Sequence, residues 1–308
     1  MILSSIFGKT KPINFILLTT YLLLVLGVVV FLGLRSFETT VPFTHYALAF
    51  SLTTISIFVI EFICKKNNLA LNNNYVIYFF CMLIAVFPAL FIYPQIAIAS
   101  WFILLAVRKM ITLKSQIGIK RKIFDAAFWI AIAALCYNWS IMVSIPLYVA
   151  IAIYAGNDIK NLIIPIIAFS TVLILTYTGF LWFDQQAEFK SLLSFEMVLS
   201  KEEYTRSYLL LPSIFLGLLI IASVLTYFLK VKLKTTSVKN SLLLVLLTLV
   251  VLIVGIGFGT KLEGASYALL GFPLSIFAGN YVEQLSKKWM KEAILWIFLL
   301  LPFINLLL

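Results

Sequence analysis

Lys120–Tyr154 reads KRKIFDAAFWIAIAALCYNWSIMVSIPLYVAIAIY: three cations, an apolar run, a tight polar turn at Tyr137–Ser140, and a second apolar run. A run of this kind that enters lipid must satisfy its own backbone hydrogen bonds, which a helix does within the segment. Two such runs joined by so short a turn make a helical hairpin. The cations at its open end then belong at the membrane surface, on the side where Lys and Arg collect.

The same grammar repeats along the chain. Apolar runs near 14–34, 46–63, 74–92, 95–107, 123–137, 140–155, 162–183, 208–229, 241–259, 265–283 and 292–308 predict eleven helices. The fourth to sixth are short, because about fourteen residues at 1.5 Å each reach only ~21 Å of a ~30 Å hydrocarbon core. They extend into flanking polar residues or form incomplete hairpins. A re-entrant 123–155 pair would leave nine crossings and the same sidedness afterwards. The fold class predicted is an all-α integral membrane bundle of about eleven (nine to eleven) transmembrane helices.

Composition agrees: 63% of the residues are hydrophobic and 11% charged, with a mean hydropathy of +1.10. A soluble domain covers its surface with roughly 25% charged residues. No polar stretch is long enough to build one here, so 1–308 is read as one membrane domain. Within it, 184–206 is expected to be a periplasmic interfacial cap. Phe189, Leu192, Leu193, Phe195, Met197, Val198 and Leu199 are interleaved with charges, and Ser200-Lys201-Glu202-Glu203 has the form of a capping box.

The net charge of +11 is placed for a membrane, not for nucleic acid. With the N-terminus inside, cytoplasmic segments carry eighteen cations, in clusters such as Lys9/Lys11, Lys65/Lys66, Arg108–Lys122 and Lys230–Lys239, and in Lys160 and Lys287–Lys291. The opposite face keeps five: Arg35, Lys190, Lys201, Arg206 and Lys261. That asymmetry predicts a cytoplasmic N-terminus. The opening apolar patch (Ile2, Leu3, Ile6, Phe7) precedes Lys9 and Lys11, unlike a cleaved signal peptide, and is expected to rest on the inner membrane surface. Cys64, Cys81 and Cys136 are scattered through apolar runs, and His45 is the single histidine. A structural metal site needs more ligands than that.

Ionisable residues deep in a membrane helix mark function, and this chain has few. Glu61, Asp125 and Glu283 fall near inner helix ends, within reach of Lys65, Lys122 and Lys287. Polar residues collect at the outer ends instead. Glu38 and Asp184 are the candidate base or metal-holding carboxylates. Arg35, His45, Lys261 and Glu263 are the candidate substrate-binding groups of an outward mouth. Gly255 and Gly259 give a GxxxG spacing that suits close helix packing, within the chain before dimerisation. Pro88, Pro146, Pro165, Pro212 and Pro273 lie within or near helices and are expected to kink them.

KTKPINFILL (9–18), 122–154 with NDIKNLIIP (157–165), and YALLGFPLSIFAGNYVEQLSKKWMKEAILW (267–296) resemble an uncharacterised polytopic inner-membrane family of flavobacteria and other Bacteroidota. The resemblance spans the chain and implies a Gram-negative inner membrane. It carries no activity to transfer. The order of Lys120-Arg121-Lys122, short helix, polar turn, helix and Asn157-Asp158 is distantly similar to the middle of membrane glycosyltransferases that use polyprenyl-phosphate sugars. Those enzymes hold an acid in a long first outer loop, whereas here Arg35–His45 is short and contains Glu38 alone.

These readings point to cell-envelope biogenesis, with a polyprenyl-linked glycan or lipid handled at the outer face. A divalent cation enters only if the chemistry is glycosyltransferase-like. A non-enzymatic scaffold subunit of a secretion or gliding complex, held by other membrane proteins, is the alternative. A small-molecule transporter is the third, weakened by the scarcity of intramembrane charge. The alternation of cations is directly testable. In a variant whose native cysteines are replaced, labels at Ser115→Cys and Ser200→Cys should react from opposite faces, inner and outer. Reaction of both from one face would overturn the topology.

Overall fold

The computed structural model describes residues 2–36, 41–156, 158–193, 207–230, 234–259 and 262–307. These residues are overwhelmingly helical, and no strand occurs among them. The helices are α1 (Leu3–Phe7), α2 (Pro12–Ser36), α3 (Phe43–Asn67), α4 (Tyr75–Val86), α5 (Pro94–Thr112), α6 (Ile119–Cys136), α7 (Ser144–Tyr154), α8 (Ile159–Trp182), α9 (Gln186–Leu192), α10 (Ser207–Lys230), α11 (Thr236–Phe258), α12 (Gly271–Gln284) and α13 (Lys288–Leu307). Every predicted apolar run is chiefly helical among the described residues. Among the described residues, six helical segments are long and apolar enough to cross a membrane: Pro12–Phe31, Phe43–Asn67, Pro94–Ser115, Ile159–Trp182, Leu210–Leu229 and Thr236–Phe258. The chain is therefore an all-α protein with several membrane-length helices.

The helices gather into two compact units interleaved in sequence. The first is Met1–Ala97, Ser200–Val238 and Lys261–Leu308; the second is Ile98–Leu199 and Lys239–Thr260. Hydropathy alone does not reveal such a division, because apolar runs look alike whichever unit they join.

The first unit is built around α4. All twelve of its residues are buried, and it packs against α2, α3, α12 and α13. It stops at Val86 because Pro88 disfavours helical backbone at the residue before it. Phe87 there has φ −116° and ψ 67°, and Pro88–Phe91 continues as a 3-10 turn. A second 3-10 stretch, Leu262–Leu270, leads into α12 and packs on the first. The start of α12 therefore lies against the end of α4, and the two helices are antiparallel. Their contact depends on small residues four apart: Gly271, Ser275 and Gly279. Gly271 sits against the Phe80 ring and Ile84, and a Cβ on Gly279 would lie 2.8 Å from Val76 Cγ2 and 3.0 Å from Val76 N. Ser275 is fully buried and returns its hydroxyl to the Phe272 carbonyl at 2.8 Å. In lipid, helix association relies on this kind of close backbone packing.

In the second unit, α6 packs along α8, with the 3-10 turn Asn138–Val143 between α6 and α7. Gly255 of α11 and Gly259, the residue just after that helix, face that turn. A Cβ on Gly255 would lie 3.3 Å from Trp139 Cβ, and Gly259 is pressed against Tyr137 and Trp139. Trp139 stacks on Phe258 at 5.7 Å, and the Tyr137 hydroxyl donates to the Gly255 carbonyl at 3.3 Å. The GxxxG spacing thus serves packing inside the unit.

Cations gather at one end of each unit. In the first, Glu292 accepts from the N–H groups of Ile2, Leu3 and Ser4 at 2.6–3.0 Å. Asn74 N–H donates to the Phe7 carbonyl at 2.9 Å, and Lys291 Nζ donates to the Glu283 carbonyl at 2.9 Å. The starts of α2, α4 and α13 and the end of α12 therefore meet beside Lys9, Lys11, Lys287, Lys288 and Lys291. In the second unit, Lys109 Nζ pairs with Asp125 at 2.6 Å. Gln116 reaches the Tyr154 carbonyl at 2.7 Å, and Asn161 the Ala155 carbonyl at 3.1 Å. The ends of α5 and α7 and the starts of α6 and α8 meet there among Arg108, Lys109, Lys114, Lys120, Arg121, Lys122 and Lys160.

One expectation is corrected. Of the opening apolar patch, Leu3 and Phe7 are buried in the protein, with Phe7 4.8 Å from the Tyr78 ring. The Glu292 carboxylate fastens α1 by its first N–H groups and so directs these side chains inward, while Ile2 stays exposed.

The α4–α12 contact yields a sharp comparison. Gly279→Ala should lower thermal stability in detergent by about 1–3 kcal/mol, because the added methyl overpacks Val76. Gly217→Ala on α10, where nothing lies within 4 Å of a Cβ, should cost nothing. Equal melting temperatures for the two variants would refute the close approach.

Candidate functional site

The predicted outer mouth is distributed unevenly. Arg35 stands in the last turn of α2, His45 in the first turn of α3, and Glu263 in the 3-10 stretch Leu262–Leu270. These backbone positions all lie toward the end of the first unit away from its cations. There the 3-10 turn Pro88–Phe91 touches α2, α3 and the Leu262–Leu270 stretch. Glu38 and Lys261 lie outside the described residues, as does the capping box at Ser200–Glu203. His45 N–H donates to the Pro42 carbonyl at 3.0 Å, which secures the start of α3.

Asp184 belongs to the second unit and has a structural part to play. Its φ is +55°. Its N–H donates to the Leu181 carbonyl at 3.3 Å, and the Gln185 N–H to the Phe180 carbonyl at 2.9 Å. That pair of bonds is a Schellman stop for α8, with Asp184 at the left-handed position that Gly or Asn usually fills. The stop turns the chain back into α9, whose Phe189 rests on Tyr177 at 5.1 Å and Phe180 at 6.0 Å. The first part of the predicted cap, through Leu193, is thus α9 folded onto α8. Its remainder, 194–206, lies outside the described residues.

Beneath α9 is an apolar cavity of about 120 Å³. Ala131, Ala134 and Leu135 of α6 form one wall and Phe169, Val172 and Leu173 of α8 the other. Asn138 and Ile141 close one end, and Leu192 and Leu193 lie over it. The void exists because α6 presents alanines where α8 presents larger side chains. Asn138 is the one polar side chain lining it. A space of this kind takes hydrocarbon, on the scale of the ~150 Å³ dry cavities that hold benzene.

The polar groups that the fold does bring together are at the cationic end of the first unit. Glu283 accepts from Asn73 Nδ2 at 2.6 Å and from the Leu71 N–H. Asn280 Nδ2 donates to the Leu69 carbonyl at 2.9 Å, so two α12 side chains bolt the α3–α4 loop. Lys234, beyond α10, faces Glu283, and burial holds its ammonium below the usual lysine range. Sequence reasoning gave Glu283 the partner Lys287, whereas its side chain takes Asn73. Asp125 likewise pairs with Lys109, while Lys122 donates to the Thr112 carbonyl at 2.9 Å and to Ser115 Oγ at 2.5 Å. Glu61 pairs with Lys65 as its spacing implies, at 2.8 Å. The signal for Asn73 was the Asn72-Asn73-Asn74 run beside an apolar helix, but its partner lies 210 residues away.

Among the described residues no three His, Cys, Asp or Glu side chains are grouped to hold a metal ion. Comparison with known families matches residues 10–306 to the Family of unknown function (DUF6427). No curated protein and no solved structure matches the chain.

If Asp184 acts through its backbone, Asp184→Gly should retain or raise the melting temperature. Asp184→Val should lose about 1 kcal/mol, because a β-branched side chain tolerates left-handed backbone less well than Asp does. A Gly variant as unstable as the Val variant would show that the carboxylate matters.

Proposed function

The chain belongs to the Family of unknown function (DUF6427), and on that premise we propose that it is a multi-pass protein of the bacterial inner membrane that handles an envelope lipid or polyprenyl-linked glycan at its outer face. In this reading the N-terminus is cytoplasmic, about eleven helices cross or enter the bilayer, and the lipid's hydrocarbon chain enters the second unit beneath α9. The observation that carries it is the apolar cavity between α6 and α8. It lies at the end of its unit away from the cations, and by the positive-inside rule that end faces outward. A hydrocarbon chain is the ligand class suited to a dry, branched-walled space. Independently of that cavity, and within the first unit alone, Arg35, Glu38, His45, Lys261 and Glu263 remain the groups proposed for contact with a phosphate or sugar, with Glu38 as the base or metal-holding carboxylate. Under this reading Asp184 positions α9.

A scaffold role in an envelope complex is the second reading, favoured by α8 and α10. Only 17% of the α8 span and 22% of the α10 span are buried, leaving broad apolar faces for lipid or another membrane subunit.

Mild-detergent purification followed by lipid extraction and mass spectrometry separates the two. Wild type should retain a polyprenyl or other long-chain lipid. Ala134→Trp, which fills the cavity, should reduce that lipid about tenfold while the protein still melts cooperatively. Unchanged lipid in the variant would overturn the cavity reading, and a stoichiometric protein partner with no retained lipid would put the scaffold first.

A further inference from the structure

A second apolar–polar recess lies in the first unit, between α2 and α3 at the cationic end. It is an open groove of about 640 Å³ lined by Phe15, Phe58, Glu61, Phe62, Lys65 and Lys66. Phe15 and Phe58 stack across the two helices with ring centroids 5.2 Å apart and planes 8° from parallel. This closes the helices at one point and leaves the space beside it open. We propose that the groove binds one anionic phospholipid, its phosphate at Lys65 and Lys66 and an acyl chain along Phe58 and Phe62.

The polarity of the groove follows that of such a lipid. Glu61 forms the floor with its side chain only 8% exposed, and Lys65 neutralises it at 2.8 Å. The Lys65 side chain is itself 46% exposed, so its ammonium has donors left for a ligand. Lys66 lies over the Phe62 ring with Nζ 5.3 Å from the centroid. Among the described residues, no carboxylate forms an ion pair with it. The floor is therefore neutral, the rim is cationic, and the walls away from the rim are aromatic. Phe58 and Phe62 are 54% and 46% exposed, as side chains against acyl chains would be.

The charge surplus selects the head group. Lys9 and Lys11 stand exposed at the same end, and Lys11 is one helical turn from Phe15. Glu61 is the one acid in the lining and is already paired, so a choline or ethanolamine would meet cations and no free carboxylate. A phosphodiester with net negative charge meets the complementary arrangement. Lysines at a helix C-terminus also complement its dipole. That role requires neither the aromatic walls nor any preference among lipids.

Native mass spectrometry of the full chain in detergent tests the assignment, with phosphatidylglycerol and phosphatidylcholine of identical acyl chains as probes. Wild type should carry phosphatidylglycerol adducts with about fivefold preference. Lys66→Gln leaves the Glu61–Lys65 pair in place and should abolish most of that preference without lowering the melting temperature, whereas Lys66→Arg should retain it. Lys120→Gln with Arg121→Gln, exposed cations of the second unit, should leave it unchanged. Equal binding of the two lipids by wild type would overturn the proposal. So would a loss of preference in the Lys120/Arg121 variant as large as in Lys66→Gln, since the attraction would then be diffuse.

Discussion

The close approach of α12 to α4 is the contact on which the first unit depends. A glycine at 279 lets one helix backbone touch another at Val76, and with α2, α3 and α13 packed around it every residue of α4 is enclosed. Hydrophobicity does not supply this specificity in a bilayer, because lipid tails are as apolar as the side chains they replace. Shape does. Once α4 and α12 are seated, their 3-10 extensions meet at one end. At the other, Asn280 and Glu283 take up the loop that leads into α4.

The second unit solves the same problem with different residues. Ala131 and Ala134 let α6 approach α8, and Gly255 and Gly259 let α11 approach the Tyr137–Trp139 turn. The alanine solution is looser, and the space it leaves is the apolar cavity. A packing device and a binding device are here one choice of side-chain size. The Schellman stop at Asp184 completes it, because α9 reaches the cavity only when α8 ends with a reversal.

Polar side chains in both units serve chiefly to close helix ends. Glu292 satisfies three N–H groups of α1, Asp158 caps α8 by accepting from Lys160 N–H at 3.0 Å, and Asn68 ends α3 with φ +54°. Open N–H and carbonyl groups at helix ends need partners wherever water is scarce. The remaining acids are committed in other ways: Asp125 pairs with Lys109, Glu61 with Lys65, and Glu283 accepts from the Asn73 side chain, which leaves them modest candidates for chemistry.

Hydropathy and the placement of lysine and arginine determined the helical class, the approximate positions of the apolar helices among the described residues and the gathering of cations at one end of each unit. These follow from local composition, since a run of apolar residues has few alternatives to a helix and a cation few alternatives to the surface. The Gly255/Gly259 spacing was legible as a packing device for the same reason. Which helices became neighbours was not. Gly271, Ser275 and Gly279 announce a close face but not the partner α4, and Asn73 finds Glu283 across most of the chain. Asp184 drew attention as a carboxylate, yet its left-handed backbone is what the fold uses, and no sequence pattern distinguishes the two. The cavity and the α2–α3 groove arise where side chains from different helices fail to fill the space between them. Such voids belong to pairs of surfaces, so only the tertiary structure decided where they are.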